Sequence, residues 1–287
     1  MLGGRRRTAD RAFRWIAVGA GAAVLVILAL IALVMSSRAL PVLDHMGLDF
    51  FTSRRWSPAS ALYGALPFIW GTLYTAFIAV SLAVPVSLGV ALFVTQVAPA
   101  RLRRPLVYVL DLLAVIPSVV FGLWGILVLA PVLGRSFLTA GVILAIMITP
   151  IITSLAREVI ETTPAGEKEA ALALGATRWE MIWGSVWPHS KGGLVGAVML
   201  GLGRAMGETI AAALVIGSAL GQITLDAFKA GNSMPAVIAN EWGEADAMHK
   251  SALIALAVVL FLITIAVNLI ATAIVRRSMA RNRGKSS

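Results

Sequence analysis

The sequence predicts an all-α, polytopic membrane protein, with six transmembrane helices and a short cytoplasmic helix-turn-helix between the fourth and fifth. Three observations predict it. The chain is 59% hydrophobic and only 13% charged, against roughly 25% charged in a soluble domain. A helix crosses a bilayer with about 20 apolar residues. Six stretches meet that length: Phe13–Met35, Ile69–Val97, Leu106–Leu133, Phe137–Ala156, Gly192–Gly221 and Ser251–Val275. Finally, the basic residues alternate between the two sides of the membrane that these spans define.

One side holds Arg5, Arg6, Arg7, Arg11 and Arg14, then Arg101, Arg103 and Arg104, then Arg157, Lys168, Arg178 and Lys191, then Arg276, Arg277, Arg281, Arg283 and Lys285, which is 17 of the 24 Lys and Arg. The other side holds six: Arg38, Arg54, Arg55, Arg135, Lys229 and Lys250. Positive charge is retained in the cytoplasm, so both termini are expected there. The organisation is then a basic tail over 1–12, a six-span region over 13–276 with one long cytoplasmic loop at 158–191, and a second basic tail over 277–287. Topology and contact with lipid headgroups account for the tails without nucleic acid.

The first span starts from a basic segment, and Ser37-Arg38-Ala39 loosely fits a signal-peptidase site. Its apolar length exceeds the ~7–15 residues of a signal core, so a retained helix is expected. Pro85, Pro117 and Pro150 interrupt the second, third and fourth spans, as hinges or as static kinks. Gly134-Arg135-Ser136 separates the third span from the fourth. Asp111 is placed near the cytoplasmic start of the third span, where a helix dipole favours a carboxylate. The outer loops, about Ser36–Phe68 and Gln222–Lys250, together with Arg135 between the third and fourth spans, carry six basic and six acidic residues. A near-neutral face is no funnel for a free anion. Trp56, Tyr63, Trp70 and Trp242 suit the interfacial aromatic belt.

The loop at 158–191 reads as two short helices. Thr163 is expected to cap the first, with Pro164 at the first helical position, and Gly175 to end it in a left-handed cap. Thr177-Arg178-Trp179-Glu180 matches a capping box that opens the second, and Pro188 is expected to break the chain before the fifth span. The small, flat surface of the first helix (Ala165, Gly166, Ala170, Ala171, Ala173) fits either a groove on a partner or the chain's own bundle.

The fifth span carries the charges of most interest. Arg204 and Glu208 fall near its middle, where a charge costs about 2.5–3.5 kcal/mol on insertion scales. Four residues apart on a helix, they are expected to share a face and pair. Such a couple either lines a substrate path or fixes bundle geometry. Gly192/Gly196 and Gly203/Gly207 have the small-xxx-small spacing of close helix packing.

Other chemistries are excluded or unsupported. There is no cysteine; His45, His189 and His249 make no metal motif. There is no Walker-type phosphate loop and no triad or acid–base pair. If ATP is used, another subunit hydrolyses it.

Glu169-Ala170-Ala171, followed by Gly175 and Pro188, resembles the Glu-Ala-Ala loop of the permease subunits of binding-protein-dependent ABC importers. Ser185 and Trp187 stand where that family usually has Ile and Leu. Trp56, Pro58 and Tyr63-Gly64-Ala65-Leu66-Pro67-Phe68-Ile69-Trp70-Gly71-Thr72 resemble the entrance to the second span of permeases of bacterial phosphate-specific importers. Ile116–Gly122, Gly175–Glu180 and Leu202–Thr209 resemble their third span, coupling loop and fifth span, so the likeness covers nearly the whole chain. The resemblance implies a type I ABC importer permease in the bacterial inner membrane. It also implies a sister permease, a dimer of ATPase subunits that binds ATP and Mg, and a periplasmic phosphate-binding protein. Glu169, Ala170, Ala171 and Gly175 would couple to the ATPase, and Arg204 and Glu208 would line the phosphate pathway. A permease for molybdate or sulfate, and a self-sufficient channel or secondary carrier, are the rival expectations.

Overall fold

In the computed structural model, backbone is described for residues 3–283 and side-chain surroundings for 13–273. The tails expected at 1–12 and 277–287 lie outside the residues whose side chains are described.

The first helix, α1 (Gly3–Met46), runs eleven residues past the expected end at Met35. Its outer part is held by packing: Ala39 and Val42 are fully buried against the last helix, α13 (Ala247–Arg283). Pro41 lies inside α1 and offers no N–H. Beside it the Ser251 hydroxyl donates to the Arg38 carbonyl at 2.9 Å and accepts the Val42 N–H at 3.2 Å. A serine from another helix thus reinforces the turn that a proline weakens. The small-x-small triplet Ser37-Arg38-Ala39 is helical, and Ala39 is buried.

A single-turn helix, α2 (Asp49–Thr52), and a two-residue antiparallel hairpin, β1 (Trp56–Ser57) with β2 (Leu62–Tyr63), lead into α3 (Leu66–Leu92), which continues as a π-turn to Val97. Pro85 sits within α3 without breaking it. The expected third span is two helical segments. α4 (Ala100–Val115) ends at Ile116-Pro117, and α5 (Ser118–Trp124), a π-turn and α6 (Ala130–Leu133) leave at 90°. Proline has no N–H and excludes helical backbone from the residue before it. Pro117 is therefore the one of the three prolines that breaks its span. Asp111 lies in the C-terminal half of α4 and is exposed, so the start-of-helix dipole does not account for it.

α7 (Phe137–Glu161) is the central post, packed against α3, α4, α10 and α11. Ser136 caps it by accepting the Thr139 N–H. The N–H groups of Ser136, Phe137 and Leu138, which no helical turn can satisfy, donate to the carbonyls of Val215, Lys229 and Ala227. The loop at 216–233 is thereby seated on the end of α7. Trp70 Nε1 and the Tyr74 hydroxyl hold the same loop to α3 through the carbonyls of Thr224 and Leu225.

Beyond α7 come α8 (Ala165–Ala173), α9 (Arg178–Met181), a π-turn at Ile182–Val186, α10 (Trp187–Gly207), α11 (Ile210–Val215), α12 (Met234–Glu241) and α13. Pro188 does not break the chain. It sits in the first turn of α10, after a π-turn that keeps the helix running from α9.

Among the described residues four helices are long and apolar enough to cross a membrane: Phe13–Met46, Leu66–Val97, Phe137–Glu161 and Ala247–Ala273; the bent pair Ala100–Val115 with Ser118–Leu133 makes a fifth if it counts as one span. The fifth expected span, Gly192–Gly221, is not one helix. α10 stops at Gly207, Glu208 is extended (φ −69°, ψ 126°), and α11 ends before Gly217, whose φ of +98° suits glycine.

Thr72 shows how the layers lock. It is 2% exposed, donates to the Phe68 carbonyl at 2.8 Å and accepts the Met234 N–H at 2.9 Å. Thr72→Val keeps the shape but strands a buried N–H, which costs about 1–3 kcal/mol. Thermal unfolding of the purified protein should show the loss, and an unchanged midpoint would refute this accounting.

Candidate functional site

The open face of α10 is the first feature of the site. Gly193 and Gly201 press against α7: a Cβ on either would sit 2.5–2.6 Å from Val159 or Ile152. On the other side Gly196, Gly203 and Gly207 would place a Cβ in open space, Leu200 is 61% exposed, and Arg204 is exposed among them. The Gly203/Gly207 pair therefore does not pack α10 against another helix of this chain. Those two glycines instead floor an apolar cleft of about 420 Å³ walled by Leu28 and Ile31 of α1 and Ala257 and Phe261 of α13.

Arg204 and Glu208 are not brought together. Among the described residues Arg103 pairs with Glu161 and His249 contacts Glu241, and neither contact involves Arg204 or Glu208. Pairing at four-residue spacing needs a continuous helix, and the helix ends between these two. Glu208 is 9% exposed, and its Oε1 accepts the Ala211 N–H at 3.2 Å. It meets an orphan donor in the first turn of α11. Arg204, on the last turn of α10, projects from the open stripe with no carboxylate partner among the described residues. A guanidinium carries five N–H donors and stays charged at any relevant pH.

The second feature lies at the end of the molecule that carries α8 and α9. α8 buries no residue; Leu172 is 43% and Leu174 89% exposed. Glu169 and Ala170 are exposed and Ala171 is partly buried. The helix rests on its own bundle through Ala171 and leaves most of its surface exposed. It closes in a Schellman motif: Ala176 N–H bonds the Ala171 carbonyl, Gly175 N–H bonds that of Leu172, and Gly175 has φ +86°. Thr163 does not cap α8. Its buried hydroxyl lies 3.3 Å from that of Ser190, and Pro164 occupies the cap. The capping box is present: Thr177 N–H donates to Glu180 Oε2 at 2.8 Å, and Glu180 N–H to Thr177 Oγ1 at 3.3 Å. The backbone bond from Thr177, then its hydroxyl, holds the Glu180 carboxyl below its ordinary range.

The third feature, at the hairpin end, has no local sequence signal, because its members come from distant segments. Trp56 Nε1 donates to Glu241 Oε2 at 2.8 Å, and His249 Nε2 meets the same oxygen at 2.8 Å. Tyr63 stacks on His249 and is fully buried. Burial, then Asp246 and Glu241, pushes its hydroxyl pKa up. Trp56 and Tyr63 are therefore core residues rather than belt residues, whereas Trp242 remains 45% exposed.

Residues 83–279 match the family of binding-protein-dependent transport system inner membrane components. The phosphate transport system permease protein PstC of Xylella fastidiosa (strain Temecula1) is 41% identical over 307 residues, covering 98% of this chain and 94% of that protein. PstC of Pasteurella multocida is 39% identical over 86% of this chain and 87% of its own length. PstC 2 of Mycobacterium tuberculosis is 38% identical over 93% and 92%. Among solved structures, the inward-facing MetNI methionine ABC transporter aligns with TM-score 0.61 at 19% identity, over 73% of this chain and 94% of that one. An amino acid ABC transporter aligns with TM-score 0.55 at 20% identity, over 78% and 99%. The likeness of fold extends to ABC importer permeases far apart in sequence.

Proposed function

Because this chain belongs to the binding-protein-dependent transport system inner membrane components, and among them to the phosphate transport system permeases PstC, we propose that it is the permease subunit of an ATP-driven importer that moves inorganic phosphate across the bacterial inner membrane. The observation that carries this reading is 41% identity with a PstC permease over 98% of the chain. The chain is no enzyme; ATP and Mg belong to a partner.

Both termini are cytoplasmic, following the distribution of Lys and Arg. A PstA-like sister permease covers part of the open side of α10. A PstS-like periplasmic binding protein delivers phosphate at the hairpin end. A PstB-like ATPase dimer receives α8 through Glu169, Ala170, Ala171 and the turn at Gly175. Phosphate then meets Arg204, which forks around two of its oxygens. Glu208 serves the path indirectly, by building the helix break beneath it. To swing access from 1:99 to 99:1, nucleotide must favour one state by about 5.5 kcal/mol. Cargo that binds both states equally contributes none of it.

Copurification from native membranes, followed by reconstitution and radiolabelled uptake, tests the proposal. The expected result is phosphate uptake that requires ATP, the ATPase and the binding protein. Uptake by the purified chain without nucleotide would instead mark a channel or secondary carrier. Transport of molybdate or sulfate in preference to phosphate would mark a different oxyanion permease.

A further inference from the structure

Where the first turns of α4 meet the last turns of α7, a cleft of about 440 Å³ is lined by Ala100, Arg103, Arg104, Val107, Tyr108 and Arg157. Three arginines line this small space. Arg103 is matched by Glu161 across the two helices, and Arg104 and Arg157 join no ion pair among the described residues. Glu158 is exposed beside Arg157 on α7 but does not line the cleft. Two positive charges are therefore left uncompensated in one concavity, and like charges so gathered repel unless an anion joins them.

The rest of the wall is apolar: Ala100, Val107 and the ring of Tyr108. Beyond the cleft α4 stays uncovered, with Tyr108 67%, Val109 53% and Leu112 70% exposed, and it buries no residue along its length. Paired arginines suit phosphate oxygens, while the apolar wall continuing along a bare membrane helix suits hydrocarbon. Basic pockets between transmembrane helices hold anionic headgroups in this way.

We propose that this cleft binds the phosphate of an anionic phospholipid, with Arg104 from α4 and Arg157 from α7 on its oxygens and the acyl chains lying along α4. The bound lipid clamps α4 to α7. The inference rests on the chain spanning a membrane and not on its cargo.

The test uses the assembled importer in detergent, probed by native mass spectrometry and thermal unfolding with cardiolipin, phosphatidylglycerol, phosphatidylcholine or inorganic phosphate. Cardiolipin and phosphatidylglycerol should be retained and raise the midpoint; phosphatidylcholine should not. Arg104→Gln with Arg157→Gln leaves the Arg103–Glu161 pair in place and should weaken anionic-lipid retention about 25-fold, roughly fivefold for each guanidinium. Arg54→Gln, at the opposite end of the molecule, should leave retention unchanged. Retention unaltered in the double variant overturns the proposal. So does inorganic phosphate that stabilises the wild type as well as the lipids do, which would make this a free-anion site. If the double variant does not fold, equal retention of phosphatidylcholine and phosphatidylglycerol by the wild type overturns it alone.

Discussion

Arg204→Gln abolishes ATP-driven phosphate uptake while the complex still assembles: this is the expected result, and its reason lies in the surroundings of the side chain. Arg204 is exposed on the open stripe of α10 and engages no carboxylate among the described residues. The change thus strands no buried partner, and the fold should survive it. What disappears is a fork of two charge-assisted hydrogen bonds to the cargo, each worth about 1.5–3 kcal/mol. Together they correspond to a loss of about 100-fold or more in uptake. Glu208 should behave differently. Glu208→Gln keeps an oxygen for the Ala211 N–H and should transport well, whereas Glu208→Ala loses that acceptor and should cost about 0.5–2 kcal/mol of stability. If instead Arg204→Gln transports normally in a reconstituted importer, Arg204 is not a pathway residue. Equal transport defects in Arg204→Gln and Glu208→Gln would revive the ion pair that the broken helix argues against.

Gly71→Ala should be the most damaging single methyl group in the molecule. Its Cβ would lie 1.8 Å from the Asn232 carbonyl oxygen and 3.2 Å from the Phe137 ring. Phe137 is fully buried, and the carbonyl belongs to backbone, which cannot rotate aside as a side chain can. Overpacking ordinarily costs about 1–3 kcal/mol, and a backbone obstacle places this change at the upper end of that range. Thermal unfolding should register it directly. Gly203→Ala and Gly207→Ala are the contrast: each new Cβ meets open space in this chain, so neither should lower the stability of the isolated subunit. If the stripe packs against a sister permease, both should weaken recovery of the complex. A midpoint for Gly71→Ala equal to wild type would mean that the loop at 216–233 moves freely against α3.

Much of this architecture is written in local chemistry. Five of the six expected spans appear as helices or a bent pair, because crossing a bilayer demands apolar length wherever the chain sits. The capping box at Thr177 and Glu180 and the glycine stop at Gly175 were equally legible, since each is closed by residues three to five apart. The misreadings share a cause. α1 overruns Met35 because Ala39 and Val42 pack on α13, more than 200 residues away in sequence. Thr163 turns from its cap position to Ser190. Trp56 and Tyr63 leave the interface for a core shared with His249 and Glu241. Pro85, Pro117 and Pro150 look alike in a string, yet Pro117 alone coincides with a 90° turn.

Composition, apolar length and short-range caps were enough to specify a helical membrane protein, a short helix-turn-helix between its fourth and fifth spans and two charges deep in the fifth apolar segment. Those properties depend on interactions within a few residues or on transfer from water to lipid, which each segment experiences independently. Whether Arg204 and Glu208 face one another depends on the path of the backbone between them. That path is set by Glu208 turning to the α11 amide and by a loop seated on α7, contacts that exist once distant helices have met. Three-dimensional packing therefore separated the two charges, leaving the arginine exposed on α10 and the glutamate bonded to the first turn of α11.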